Sequence, residues 1–175
     1  MIKDQFLYFA QYPSRDGVLA MFTNGSSDFP GYNDLVASLR SLPNESRVPE
    51  IANYVYGQSF DELKLRIDKL VGPFLFVDYG EVDMLGDGRN SYQCTQRMAV
   101  TVANKMPNHA DAAEYMLASD TTLRLLSRGN LDKAEIVPFV ATELHSVGWT
   151  LMMSCEAPDS LGTHGLYRSF VRRLQ

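Results

Sequence analysis

The chain has 175 residues, 45% of them hydrophobic and 21% charged, proportions of an ordinary globular protein that exclude disordered, coiled-coil and collagen-like classes. At this length one domain, residues 1–175, buries enough surface to need no disulfide or metal staple. A net charge of -5 and a pI near 5.1 oppose binding to a phosphate backbone, and the only basic cluster, Arg168, Arg172 and Arg173, reads as the solvated face of a C-terminal helix in residues 157–175.

The first residues, Met1 to Pro13, lack the basic start and long apolar run of a signal peptide, so a cytoplasmic location is expected. Residues 1–58 read as an irregular, aromatic-rich segment, with Phe6, Tyr8, Phe9, Tyr12, Phe29, Tyr32, Tyr54 and Tyr56 interleaved with turn-rich stretches. Some short helices are expected in this irregular or helical segment, one of them opened by Asn33 or Asp34, running through Leu35, Val36 and Leu39, and ended by Pro43. Ser59-Phe60-Asp61-Glu62 fits a capping box, and Phe60, Leu63, Ile67 and Leu70 then fall on one helical face before Gly72-Pro73 stops the helix.

From Phe74 to Leu85 the apolar and β-branched content predicts a strand, with Gly86-Asp87-Gly88 as a hairpin loop. The returning strand places Tyr92, Cys94, Met98, Val100 and Val102 on one parity and Gln93, Thr95, Arg97, Thr101 and Lys105 on the other. After Pro107, Asn108 is the expected cap of a helix with an apolar stripe of Ala113, Met116, Leu117, Leu123 and Leu126, closing near Gly129. Val137 to Thr142 and Val147 to Cys155 form a second hairpin, Val147, Trp149, Leu151, Met153 and Cys155 sharing one face. The predicted class is α+β: a mainly antiparallel sheet of two hairpins, with helices packed on one face. No window approaches the roughly 20 apolar residues of a membrane span.

Catalytic vocabulary is sparse. Cys94 and Cys155 form neither a disulfide framework nor a CxxC site, and Cys94 falls on the apolar parity of its strand. His109, His145 and His164 show no zinc-binding spacing; His109 is expected in the first turn of its helix. Ser146-Val147-Gly148 is no nucleophile elbow, and Gly86, Gly88 and Arg89 lead into a strand rather than into the helix an anion would need. No catalytic residue and no cofactor is assigned. The acidic group Asp78, Glu81, Asp83 and Asp87 is the alternative metal set, but alternation in an unbroken strand separates Asp78 from Glu81 and Asp83 unless the strand bulges at Gly80.

The order of elements over residues 59–156 resembles the small α+β folds of bacteriophage tail-terminator and neck (tail-completion) proteins. The resemblance rests on the helix from Phe60 to Leu70, the hairpin from Phe74 to Ala103, the helix from Ala110 to Leu126, and Gly148-Trp-Thr-Leu-Met-Met. It covers a little over half of the chain and does not extend to residues 1–58. It implies a non-enzymatic virion assembly component, working as a ring of identical subunits through contacts with itself and with other structural proteins, in the cytoplasm or the virion.

Under that reading the expected interface residues are Phe6, Tyr8, Phe9 and Tyr12, as aromatics in excess of what a small segment buries, together with Glu81, Asp83, Asp87 and Arg89 of the hairpin. Two other classes stay open. One is a small metal-dependent enzyme or ligand-binding protein using the acidic group, with His109 beside it. The other is an interaction module without a defined partner. Neither nucleic acid nor membrane is an expected partner.

Overall fold

The computed structural model describes residues 2–22, 25–58, 60–86, 92–128 and 135–158. Three helices precede the first strand: α1 (Ile2–Phe9), α2 (Arg15–Phe22) and α3 (Tyr32–Arg40). Residues 1–58 thus carry short helices, and α3 lies where one was expected through Leu35, Val36 and Leu39. Helices α1 and α2, of eight residues each, span little more than two turns, too short for a 3.6-residue period to emerge, and like α3 they are held by tertiary contacts rather than propensity. Arg15 donates to the carbonyls of Arg40, Leu42 and Pro43, tying the C-terminal end of α3 to α2. The Tyr54 and Tyr56 hydroxyls donate to the carbonyls of Phe6 and Ile2 at 2.9 and 3.0 Å, fixing α1.

Those two tyrosines belong to β1 (Asn53–Gly57), a strand that the sequence reading placed inside the irregular segment. Five more strands follow: β2 (Pro73–Asp78), β3 (Val82–Gly86), β4 (Tyr92–Lys105), β5 (Glu135–Ala141) and β6 (Ser146–Pro158). Helix α4 (Phe60–Ile67) links β1 to β2, and α5 (Ala112–Ser127) links β4 to β5. The sheet order is β1-β2-β4-β6-β5, with β3 pairing β4 beyond the end of β2; among the described strands only β1 and β2 are parallel. The fold is α+β and mainly antiparallel, as the alternation predicts.

Helices α1, α2, α3 and α5 bury Phe6, Phe9, Val18, Leu39, Leu125 and Leu126 against one face, formed by Tyr54, Leu75, Val77, Met98, Val100, Val102 and Leu151. Helix α4 and the residues after it pack on the opposite face, where Ile67 and Leu70 cover Val55, Phe74 and Phe76, so the helices cover both faces of the sheet rather than the one expected. The parallel pair β1–β2 is thus covered on both sides. The unbroken apolar run Phe74-Leu75-Phe76-Val77 is the sequence mark of that double burial.

The start of α5 departs from expectation. Asp111, not Asn108, is its cap: Glu114 N donates to Asp111 Oδ1 at 2.9 Å while Asp111 N donates to Glu114 Oε2 at 2.8 Å, a reciprocal box that Asn108 has no partner to form. His109 accordingly lies exposed in the loop ahead of the helix rather than in its first turn. The buried stripe is Ala118, Thr122, Leu125 and Leu126, so Ala113, Met116 and Leu117 face solvent. Trp149 of β6 sets this phase by donating its Nε1 to the Ser119 carbonyl at 3.1 Å. Between β5 and β6 the chain turns through a 3-10 segment, Thr142–Leu144, and His145 at a φ of 45°. Ser59, proposed as the cap of α4, and the C-terminal helix expected in residues 157–175 from residue 159 onward lie outside the described residues, as do Asp87, Arg89 and His164.

Candidate functional site

The expected single strand from Phe74 to Leu85 is two strands joined by a bulge. Asp78 stands opposite Ala99 and Val82 opposite Gln96, so residues 79–81 face only residues 97–98. Gly80 carries the extra residue at a φ of 54°, where a Cβ would come 2.9 Å from the Arg97 carbonyl carbon and closer still to its oxygen. Pairing resumes at once, with Arg97 N donating to Glu81 O at 2.9 Å. The Asp78 carboxylate accepts from Gly80 N at 2.8 Å; burial raises its pKa and that bond works against the rise.

Gln96 lies beneath the bulge, fully buried on the same face as Met98 and Val100. Its Oε1 accepts from Gln5 Nε2 of α1 at 2.6 Å, and its Nε2 donates to Gln5 Oε1 at 3.2 Å and to the Tyr79 carbonyl at 2.9 Å. The Tyr79 ring stacks on Tyr56 of β1, centroids 5.2 Å apart. The sequence reading passed over Gln96; its signal was a polar residue at a position the alternation assigns to the core.

The bulge also decides the acidic group. By adding one residue it returns Asp78 and Asp83 to the same face, that of Thr95, Arg97 and Ala99, which an unbroken strand would not do. Arg97 stands between them and pairs with Asp83 at 3.1 Å, while Asp78 is engaged by the bulge backbone. Glu81 is exposed. Among the described residues no three His, Cys, Asp or Glu side chains come together as a metal site.

Beyond the bulge, β3, the first half of β4 and the last part of β6 continue as a three-stranded ribbon. Strand β1 accompanies β2 only as far as Asp78, and β5 reaches only to Met152 of β6. Among the described residues, therefore, no strand pairs with the outer edge of Val82–Gly86 or with that of residues 153–158. Both edge strands run antiparallel to β4 and so point in the same direction. Asp83 and Arg97 are exposed on the face of this ribbon, and Val82 is 40% exposed.

The aromatic residues of the first helix are core residues rather than rings held out for a partner. Phe6, Tyr8 and Phe9 are between 3% and 6% exposed, and Phe6 packs edge-on against Phe22 and Tyr56. Tyr12 is half-buried: its hydroxyl lies 2.9 Å from that of Tyr8, accepts from Arg47 Nη1 at 3.0 Å, and the guanidinium stacks over both rings. Burial, then the Tyr12 hydrogen bond, pushes the Tyr8 hydroxyl well above the ordinary tyrosine range. Neither a family model, nor a curated protein, nor a solved structure matches this chain. No helix among the described residues is long and apolar enough to cross a membrane.

Proposed function

We propose that this protein is a non-enzymatic, self-associating structural subunit, a ring component of the tail-terminator or neck type in a phage or prophage particle, acting through protein–protein contact. The observation that carries the reading is the ribbon of β3, β4 and β6, whose two outer edges lie on opposite sides of one sheet and make no ladder among the described residues. An open edge is a row of backbone donors and acceptors that another strand can satisfy. Two different edges on one subunit favour a head-to-tail contact, in which β3 of one copy lies against β6 of the next; such a contact closes into a ring when the rotation per copy allows.

Light scattering over a wide concentration range tests this, with wild type beside Val82→Lys, which sets a charge on the β3 edge. Wild type is expected to reach a fixed multiple of the 19.7 kDa chain mass, and the variant to stay at smaller masses. A wild-type mass of one chain at every concentration would overturn the proposal.

A further inference from the structure

At the root of the ribbon the buried contact between helix and sheet is a pair of amides. Helix α1 is fixed to the body by Phe6, 4% exposed, and by the hydroxyls of Tyr54 and Tyr56. From that fixed helix Gln5 reaches Gln96, a residue of the ribbon's central strand, through two reciprocal amide bonds of 2.6 and 3.2 Å. Gln96 in turn holds the Tyr79 carbonyl of the bulge at 2.9 Å, and Tyr79 stacks on Tyr56. A bulge bends and twists its strand, and here it lies between β2, on which the helices pack, and β3. Aliphatic contacts tolerate small rotations, whereas paired buried amides have one satisfied arrangement and leave costly orphans in any other.

We propose that the Gln5–Gln96 pair is an orientation lock, through which α1 sets the direction in which the ribbon leaves the body and so the alignment of its edges with those of a second copy. The inference rests on the ribbon being the assembly surface. Its role is positioning, since both glutamines are buried within the subunit. A buried polar network acting for specificity of geometry rather than for stability alone has precedent in helical bundles, where single buried amides fix register.

The test removes both amides together, Gln5→Met with Gln96→Met, in full-length chain with Cys94→Ser and Cys155→Ser, carrying spin labels on Thr95→Cys of the ribbon's central strand, away from both edges, and Thr121→Cys on the exposed face of α5. Replacing both partners by apolar groups of similar shape is the version best tolerated by the fold; Gln5→Met alone, which leaves Gln96 bonded to Tyr79, serves where the double variant does not fold. A shifted or clearly broadened distance distribution is expected, with self-association weakened at least about tenfold. A folded variant whose distribution matches the wild type overturns the lock. A wild type that never associates overturns instead the assembly reading, since the label distances still judge the lock on their own.

Discussion

Gly80→Ala is expected to be among the most damaging single-methyl changes in this chain, and two other glycines isolate why. Gly31 and Gly72 also have positive φ, 82° and 78°, but a Cβ there would meet nothing within 4 Å. Alanine at either site pays left-handed strain of roughly 1–2 kcal/mol, offset by roughly 0.4–1 kcal/mol from the reduced freedom of the unfolded chain, a net loss of about 1 kcal/mol. At Gly80 the same conformational term is joined by the Arg97 carbonyl, whose carbon lies 2.9 Å from the added methyl with the oxygen nearer still. That carbonyl belongs to the central strand β4, paired on both sides, so it yields only by disturbing the ladder. Overpacking of this kind adds about 1–3 kcal/mol, for a total near 3 kcal/mol. At about 2–4 °C per kcal/mol for a protein of this size, Tm should fall by about 10 °C for Gly80→Ala against about 3 °C for Gly31→Ala and Gly72→Ala, read by calorimetry or denaturant titration. Equal losses at all three sites would refute the close approach at the bulge, and with it the reset of register between β2 and β3.

Tyr54→Phe removes a hydroxyl from a fully buried side chain and leaves the Phe6 carbonyl only its bond from Ala10 N, for an expected loss of about 1 kcal/mol in denaturant unfolding; no change would mean that this bond does not anchor α1. His145→Gly relieves roughly 1 kcal/mol of left-handed strain and gives back about half through the freer unfolded chain, so a gain near 0.5 kcal/mol is expected and a clear loss would contradict the turn geometry. Burial raises the pKa of Tyr8, Tyr54 and Tyr56 above the value of about 10 that they regain on unfolding. The unfolded chain therefore loses these protons first, so their stabilising contribution is full below about pH 10 and is lost as the pH rises above it. Phenolate absorbance should show these three ionising only with unfolding; all nine tyrosines titrating together in folded protein would contradict their burial.

Long, strongly alternating elements were legible in the sequence: β4 and β6 carry enough period-2 pattern for their faces to be assigned, and Met98, Val100, Val102 and Leu151 are buried as expected. Of the short elements, α3 and α4 were legible through their periodicity and the prolines that follow them, whereas α1, α2 and β1 were not. Strand β1, Asn-Tyr-Val-Tyr-Gly, has no alternation to display because Tyr54 and Val55 are buried on opposite faces of a doubly covered parallel pair. At α5 the apolar residues alone gave the wrong phase, because Thr122 is buried by returning its hydroxyl to the Ala118 carbonyl while Met116 and Leu117 stay outside. The bulge was raised in the sequence only as a condition on the acidic residues. Its actual marks were Gly80 together with Gln96, a glycine and an amide in two strands that pair only in three dimensions.

The central claim is that the outer edges of the ribbon are where copies of this chain meet, and amide hydrogen exchange measured at concentrations below and above the onset of association tests it most directly. Strand pairing between copies predicts that protection rises on association in Val82–Gly86 and in residues 153–158, while β1 and β2, already paired, stay unchanged. Association with no gain in protection along either edge would contradict the claim and move the contact elsewhere on the molecule.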